Sequence, residues 1–248
     1  MSVPFDLTGW SLAWMAFAVL GAAYIRGYSG FGFSALVVSA SGLVTNPLNF
    51  VPVVMLLEIA ATAGQAPAAG RDVNKPLLGW LLLGATIGMP ISIAFLSSLD
   101  TDLLRTVISI WILLMCAALL SGWSLRKQAG AAGVTGVGVV SGLANAAAIG
   151  GLPVALFLTA QNNPARMFRA TMIFYLCAVD LVALPMLGYA GVISADTFIA
   201  AACCLPLLGA GVWLGGRKFV SAEPENFRRM AIGLLALLAL LGLLKSLI

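Results

Sequence analysis

The chain has 248 residues, of which 61% are hydrophobic and only 9% charged. Soluble domains carry about a quarter charged residues, so a water-soluble fold is excluded, and the long apolar runs exclude the short alternating strands of an outer-membrane barrel. The net charge of +4 is scattered over short connections, which reads as membrane topology rather than nucleic-acid binding.

In chain order, apolar runs between polar or Pro/Gly punctuation define ten segments: 10–28, 32–44, 50–66, 76–97, 103–123, 129–147, 150–160, 168–187, 196–215 and 227–247. Eight are long enough to cross about 30 Å of hydrocarbon. The other two, "GFSALVVSASGLV" (32–44) and "GGLPVALFLTA" (150–160), reach only about 15–20 Å as helices. The opening "MSVPFDLTGW" lacks the basic region of a cleavable signal, so the first segment is expected to be permanent.

Loop charge sets direction. Arg71 and Lys75, Arg126 and Lys127, Arg166 and Arg169, and Arg217, Lys218, Arg228 and Arg229 mark four cytoplasmic connections. Asp6, Asp100, Asp102 and Asp196 mark the outer side, with Arg105 the one basic residue nearby. These assignments agree only if segments 1 and 2 together return the chain to its starting side, and segments 6 and 7 do the same. The expected fold is therefore an all-α polytopic membrane protein, an inverted repeat of two five-segment halves. Each half has a broken, short-helix pair followed by three spanning helices, and both termini lie outside. One transporter domain fills residues 1–248: a first repeat over 8–123, a basic linker at 124–128 and a second repeat over 129–248. Asn46-Pro47 and Asn163-Pro164, each after a short segment, and Pro90 and Pro206 in the fourth segments are traces of the duplication.

The breaks fall at "GYSGFGFS" (27–34) and "ANAAAIGGLP" (144–153), each at the N-terminal end of a short helix. Broken backbone is tolerated in a membrane only where it is buried in protein or lines a wet cavity. Paired breaks in two halves point to a transporter's binding site. A helix N-terminus presents unpaired N–H groups and partial positive charge, so it favours an anion. Gly30, Gly32, Gly150, Gly151 and Pro153 shape this candidate site, and Ser29, Ser34 and Asn145 add side-chain donors. The alternative is that these glycines serve close helix packing, as Gly21 and Gly84 are expected to do.

Three ionisable residues fall inside apolar segments: Arg26, Glu58 and Asp180. Intramembrane charges are costly and mark functional sites by default. Arg26 offers a planar fork to an oxyanion, or snorkels to an interface. Glu58 and Asp180 are candidates for coupling to protons or another cation such as sodium; the alternative is a structural ion pair with Arg26. The six tryptophans fit an aromatic belt. The chain has no histidine, no metal-ligand spacing and no phosphate-cradling glycine loop, so neither a cofactor, a metal site nor an enzyme is expected. The four cysteines lie in apolar runs and read as packing residues.

"GYSGFGFSALVV…NPLNFVPVVMLLEI" and "GLANAAAIGGLPVALFLTAQNNPARMFRATMIFYL" resemble the two repeated signatures of the sulfite exporter TauE/SafE family, also called toluene-sulfonate uptake permeases. Gly150-Gly151, Pro153, Pro164 and "FRATM" (Phe168 to Met172) carry the closer match. The first signature is less regular, with Phe31 and Phe33 interleaved. The resemblance implies transport of a small anion, a sulfur oxyanion or organosulfonate, across a prokaryotic inner membrane. The expected function is thus secondary transport by alternating access at two broken-helix N-termini. An uncoupled anion channel, or a membrane subunit delivering sulfur compounds to a partner protein, is the alternative.

Overall fold

The computed structural model describes residues 4–7, 9–96, 100–125, 127–219 and 224–246. Among them there is no strand. After a short 3₁₀ turn at Pro4–Asp6 come ten helices: α1 (Trp10–Ser29), α2 (Phe33–Ser41), α3 (Pro47–Ala69), α4 (Lys75–Leu96), α5 (Thr101–Leu120), α6 (Ala131–Asn145), α7 (Gly151–Ala160), α8 (Ala165–Tyr189), α9 (Ala195–Phe219) and α10 (Pro224–Ser246). All ten predicted segments are present as helices. Arg126 of the basic linker lies outside the described residues, as do the side chains of Lys218, Arg228 and Arg229.

Among the described residues, five helices are long and apolar enough to span by themselves: those at Pro47–Ala69, Lys75–Phe95, Thr101–Leu120, Ala165–Tyr189 and Ala195–Arg217. That is fewer than the expected eight, with α10 described in full only from Ile232 onward. α1 has 20 residues, but Arg26, Trp10 and Trp14 dilute its apolar character. α6 is only 15 residues long, because the chain leaves the helix at Asn145 rather than at the apolar run's end. Apolar length overstates helix length wherever backbone breaks inside a greasy run.

Helix starts follow local chemistry. Asn46 caps α3, its side chain accepting from Leu48 N at 3.0 Å with Pro47 as first helical residue. Asp100 caps α5 through Leu103 N at 2.8 Å. Asn163 acts differently from Asn46: its Nδ2 donates to Leu158 O at 3.1 Å, closing the end of α7.

Hydrogen bonds sort the connections to two ends. At one, Phe5 N donates to Asp196 Oδ2 at 3.1 Å, and the Phe5 and Phe50 rings lie 5.4 Å apart. There also Arg105 Nε donates to Gly42 O at 2.7 Å and Lys245 Nζ to Leu43 O. At the other, Leu125 N donates to Ala160 O at 2.7 Å and Asn74 Nδ2 to Met167 Sδ at 3.8 Å. The aspartates at positions 6, 100, 102 and 196 gather at the first end. Arg71, Lys75 and Arg166 gather at the second.

α3 and α8 lie against each other at the centre, and α5 packs on α10. Around them α1 packs on α9 and α6 on α4, α2 on α10 and α7 on α5, and α3 on α9 and α8 on α4. Exchanging α1–α5 for α6–α10 returns the same set of pairs. Both lateral pairs close through small residues. A Cβ on Gly84, Gly88, Gly138 or Gly142 would collide with the facing backbone across the α4–α6 contact. The α1–α9 contact does the same at Gly27, Gly211 and Gly215. Such four-residue spacing lets backbones approach where hydrophobicity gives no drive. Gly84 thus packs as predicted. Gly21 has nothing within 4 Å of a built Cβ, and Gly27 belongs to α1 rather than to the break. Ile87, Ile91, Ile110, Leu114 and Leu205 remain exposed on the perimeter, as a lipid-facing surface requires.

Candidate anion site between the two helix breaks

α1 ends at Gly30, whose φ of 81° is left-handed; its N–H bonds to Arg26 O. Gly32 (φ 91°) turns the chain again before α2. Only glycine takes these angles without strain. The second break has no glycine at its turning point: Ala148 sits at φ 55°. A left-handed alanine costs about 1–2 kcal/mol, and strain of this kind collects at functional sites. Ala148→Gly is expected to raise stability by up to about 1 kcal/mol, strain relief outweighing the added unfolded-state entropy. A melting temperature in detergent unchanged or lowered by the substitution would contradict this.

The two breaks meet. A cavity of ≈ 10 Å³ is lined on one side by Gly32, Ser34 and Glu58 and on the other by Ala148, Ile149 and Gly151. It has room for about one water, less than any sulfur oxyanion needs, so an anion would require it to widen. Neither α2 nor α7 has a side-chain cap on its N-terminal N–H groups, which leaves donors of the first turns available.

Beside the cavity lies a buried charge network. Arg26 Nη1 forms an ion pair with Glu58 Oε2, both side chains fully buried. Arg26 Nη2 donates to Thr62 Oγ1 at 3.0 Å, and Nη1 to Gly30 O at 3.4 Å. Its Nε is buried without a hydrogen-bond partner. Ser34 Oγ donates to Glu58 Oε1 at 2.8 Å. Asp180, also buried, lies within electrostatic reach of Glu58 and Arg26 and beside Asn145. The Nδ2 of Asn145 is buried without a hydrogen-bond partner.

The predicted residues separate into groups. Gly32, Ser34, Glu58 and Gly151 line the cavity. Arg26 stands behind Glu58 and does not line it. Gly30 turns against Arg169, whose Nη2 donates to Gly27 O at 2.8 Å. Ser29 Oγ serves its own turn, within 2.8 Å of Ile25 O and 2.9 Å of Phe31 O. Gly150 is pressed against Ser141 and Asn145, where a Cβ would lie 2.5 Å from Ser141 O. Pro153 is buried in the first turn of α7.

Residues 15–241 match the family described as Sulfite exporter TauE/SafE. The chain belongs to that family. TauE/SafE proteins are membrane transporters, and membership carries with it a small anionic substrate and a multi-pass place in a bilayer. No curated protein and no solved structure matches the chain.

Within this TauE/SafE chain, sequence reasoning missed Tyr175 and Ser141. Glu58 stands eleven residues after Pro47, and Tyr175 eleven after Pro164. Tyr175 OH and Ser141 Oγ are 2.5 Å apart, and Ser141 Oγ lies 2.5 Å from Gly150 O. The position matching Glu58 is thus neutral, tying α8 to the second break by hydroxyls instead of an ion pair. Counting from the Asn-Pro pairs would have found it.

Proposed function

We propose that this protein is a secondary transporter of a small sulfur oxyanion or organosulfonate, working by alternating access in a prokaryotic inner membrane. The observation that carries this reading is the small cavity shared by both breaks, with a buried carboxylate on its wall. The exchangeable set of helix pairs supports an inverted repeat, whose halves rock against each other to open the cavity to either side. The basic end is cytoplasmic, which puts the start of α1 and the end of α10 outside. Glu58 and Asp180 are the candidates for coupling the anion to a proton or sodium gradient.

The test is flux into proteoliposomes of radiolabelled sulfite, thiosulfate, sulfate and ethanesulfonate, with and without a pH gradient. Saturable, gradient-driven accumulation of one of them is expected. Saturable uptake that never exceeds equilibration would instead indicate a channel. No flux with any of the four, from protein shown to be folded, would favour a subunit that hands sulfur compounds to a partner.

A further inference from the structure

Arg26 looks from sequence like the residue that meets the anion, yet the side chain on the cavity wall is the carboxylate that covers it. Glu58 lines the cavity, pairs with Arg26 Nη1 behind it, and takes the hydroxyl proton of Ser34, the other polar side chain on that wall. An ionised carboxylate there does two things to an incoming anion: it repels it, and it occupies the donors that would hold it.

We propose that Glu58 is a proton-operated gate for the anion: the site accepts its anion only together with a proton bound to Glu58. This rests on the transporter reading above and adds the identity of the coupling residue and the order of events. The step balances simply. One proton from the side facing the open cavity adds to a Glu58 carboxylate oxygen, and no other bond is made or broken. Protonation removes the negative charge that pairs with Arg26, weakens Glu58 as an acceptor and gives it an O–H donor. Ser34 Oγ–H and the first-turn N–H groups of α2 then face a site free of negative charge, with a guanidinium carrying a spare Nε–H just behind it. The anion takes the place of the carboxylate as counter-charge to Arg26. On release to the other side, Glu58 gives up its proton and pairs with Arg26 again. A monoanion then crosses with one proton and no net charge.

The neighbours of Glu58 bear on this assignment. Among the described residues, Arg26 comes from α1 and Ser34 from α2. Across from α8 come Asp180 and the Cys177 thiol, which both lie within reach of Glu58 and Arg26. Arg169 of α8 lies within reach of Arg26, and α9, which also packs on α3, contributes none. Asp180 is the rival acid, but it does not line the cavity.

Two measurements test the gate, both with the full chain. The first is proton uptake by wild-type protein in weakly buffered detergent on adding ethanesulfonate, thiosulfate or sulfite at pH 7.5. Uptake of about one proton per ethanesulfonate bound is expected by linkage; binding with no proton uptake overturns the gate. The second is the pH dependence of binding between pH 5.5 and 8. Wild type is expected to bind at least about tenfold more weakly at the alkaline end, and Glu58→Gln, the uncharged isostere of the protonated acid, to bind equally at both. Glu58→Gln that keeps the wild-type slope, or Asp180→Asn that alone removes it, overturns the assignment to Glu58. If none of the three anions binds or is transported, the transporter reading falls and the gate with it. Binding without proton uptake removes the gate alone. Should Glu58→Gln fail to fold, the wild-type proton count still decides.

Discussion

Arg26→Gln is expected to lower stability by about 3–5 kcal/mol, the cost of leaving Glu58 buried and ionised without its partner. The guanidinium is wholly enclosed and holds three groups at once: the carboxylate and Thr62 of α3, and the Gly30 carbonyl that ends its own helix. Arg26→Gln/Glu58→Gln should recover most of the loss, because removing both charges also removes their desolvation cost. The pair is read as a double-mutant cycle from unfolding in mixed micelles. If the double variant is as unstable as the single, the destabilisation comes from lost packing rather than an orphaned charge. Arg105→Gln makes a useful comparison. Arg105 pairs with Asp102, whose side chain is largely exposed, at 2.5 Å, and water can compensate there as it cannot at Arg26.

Gly84→Leu should be the most damaging single change outside the charge network, with a loss of about 3 kcal/mol or more. A Cβ at Gly84 already falls inside the backbone of Thr135 and Val139 on α6, so a leucine forces the two helices apart along their whole contact. Gly215→Leu meets the backbone of Tyr24 and Tyr28 in the same way, and should cost a similar amount at the α1–α9 contact. Gly21→Leu is the control: its built Cβ has no neighbour within 4 Å, and the change should stay within about 0.5 kcal/mol. Monodispersity on gel filtration, together with helicity on heating, reads all three. Equal tolerance at Gly84 and Gly21 would mean that the glycine stripes do not hold the bundle.

These contacts matter for function because they flank the site. α1 carries Arg26 and ends in the first break; α6 ends in the second. The close glycine seams hold each broken helix to a helix of the opposite half, α1 to α9 and α6 to α4. If one half rocks against the other, these seams are where the halves must slide, and the give within each broken helix lies at Gly30, Gly32 and Ala148, where the backbone leaves helical geometry.

Much of this arrangement is legible in the residues alone. Hydropathy is a local, additive property, so ten apolar runs became ten helices, and the Gly-rich interruptions fell where α1 and α6 stop. Charged side chains stay out of hydrocarbon one by one, so Asp100 and Arg71 announce their ends of the molecule without reference to any partner. The two short helices follow from length, and the family from the paired signatures around Gly32 and Gly151.

What no local property decides is which buried groups meet. Arg26 has the same sequence neighbours whether it faces an anion, a lipid headgroup or Glu58. Only the tertiary fold brings Arg26 of α1 to that carboxylate of α3 and leaves Glu58, not Arg26, on the cavity wall. Asp180 lies in the corresponding helix but five residues beyond the position matching Glu58, which Tyr175 fills with a hydroxyl bonded to Ser141. Ala148 carries no mark of its left-handed backbone, because the strain is imposed by the helices on either side of it. Composition and spacing determined that the chain crosses a membrane and breaks twice. The long-range packing decided that the breaks meet at one small cavity and that a carboxylate lies on its wall, since a buried charge takes whichever partner the fold brings within reach.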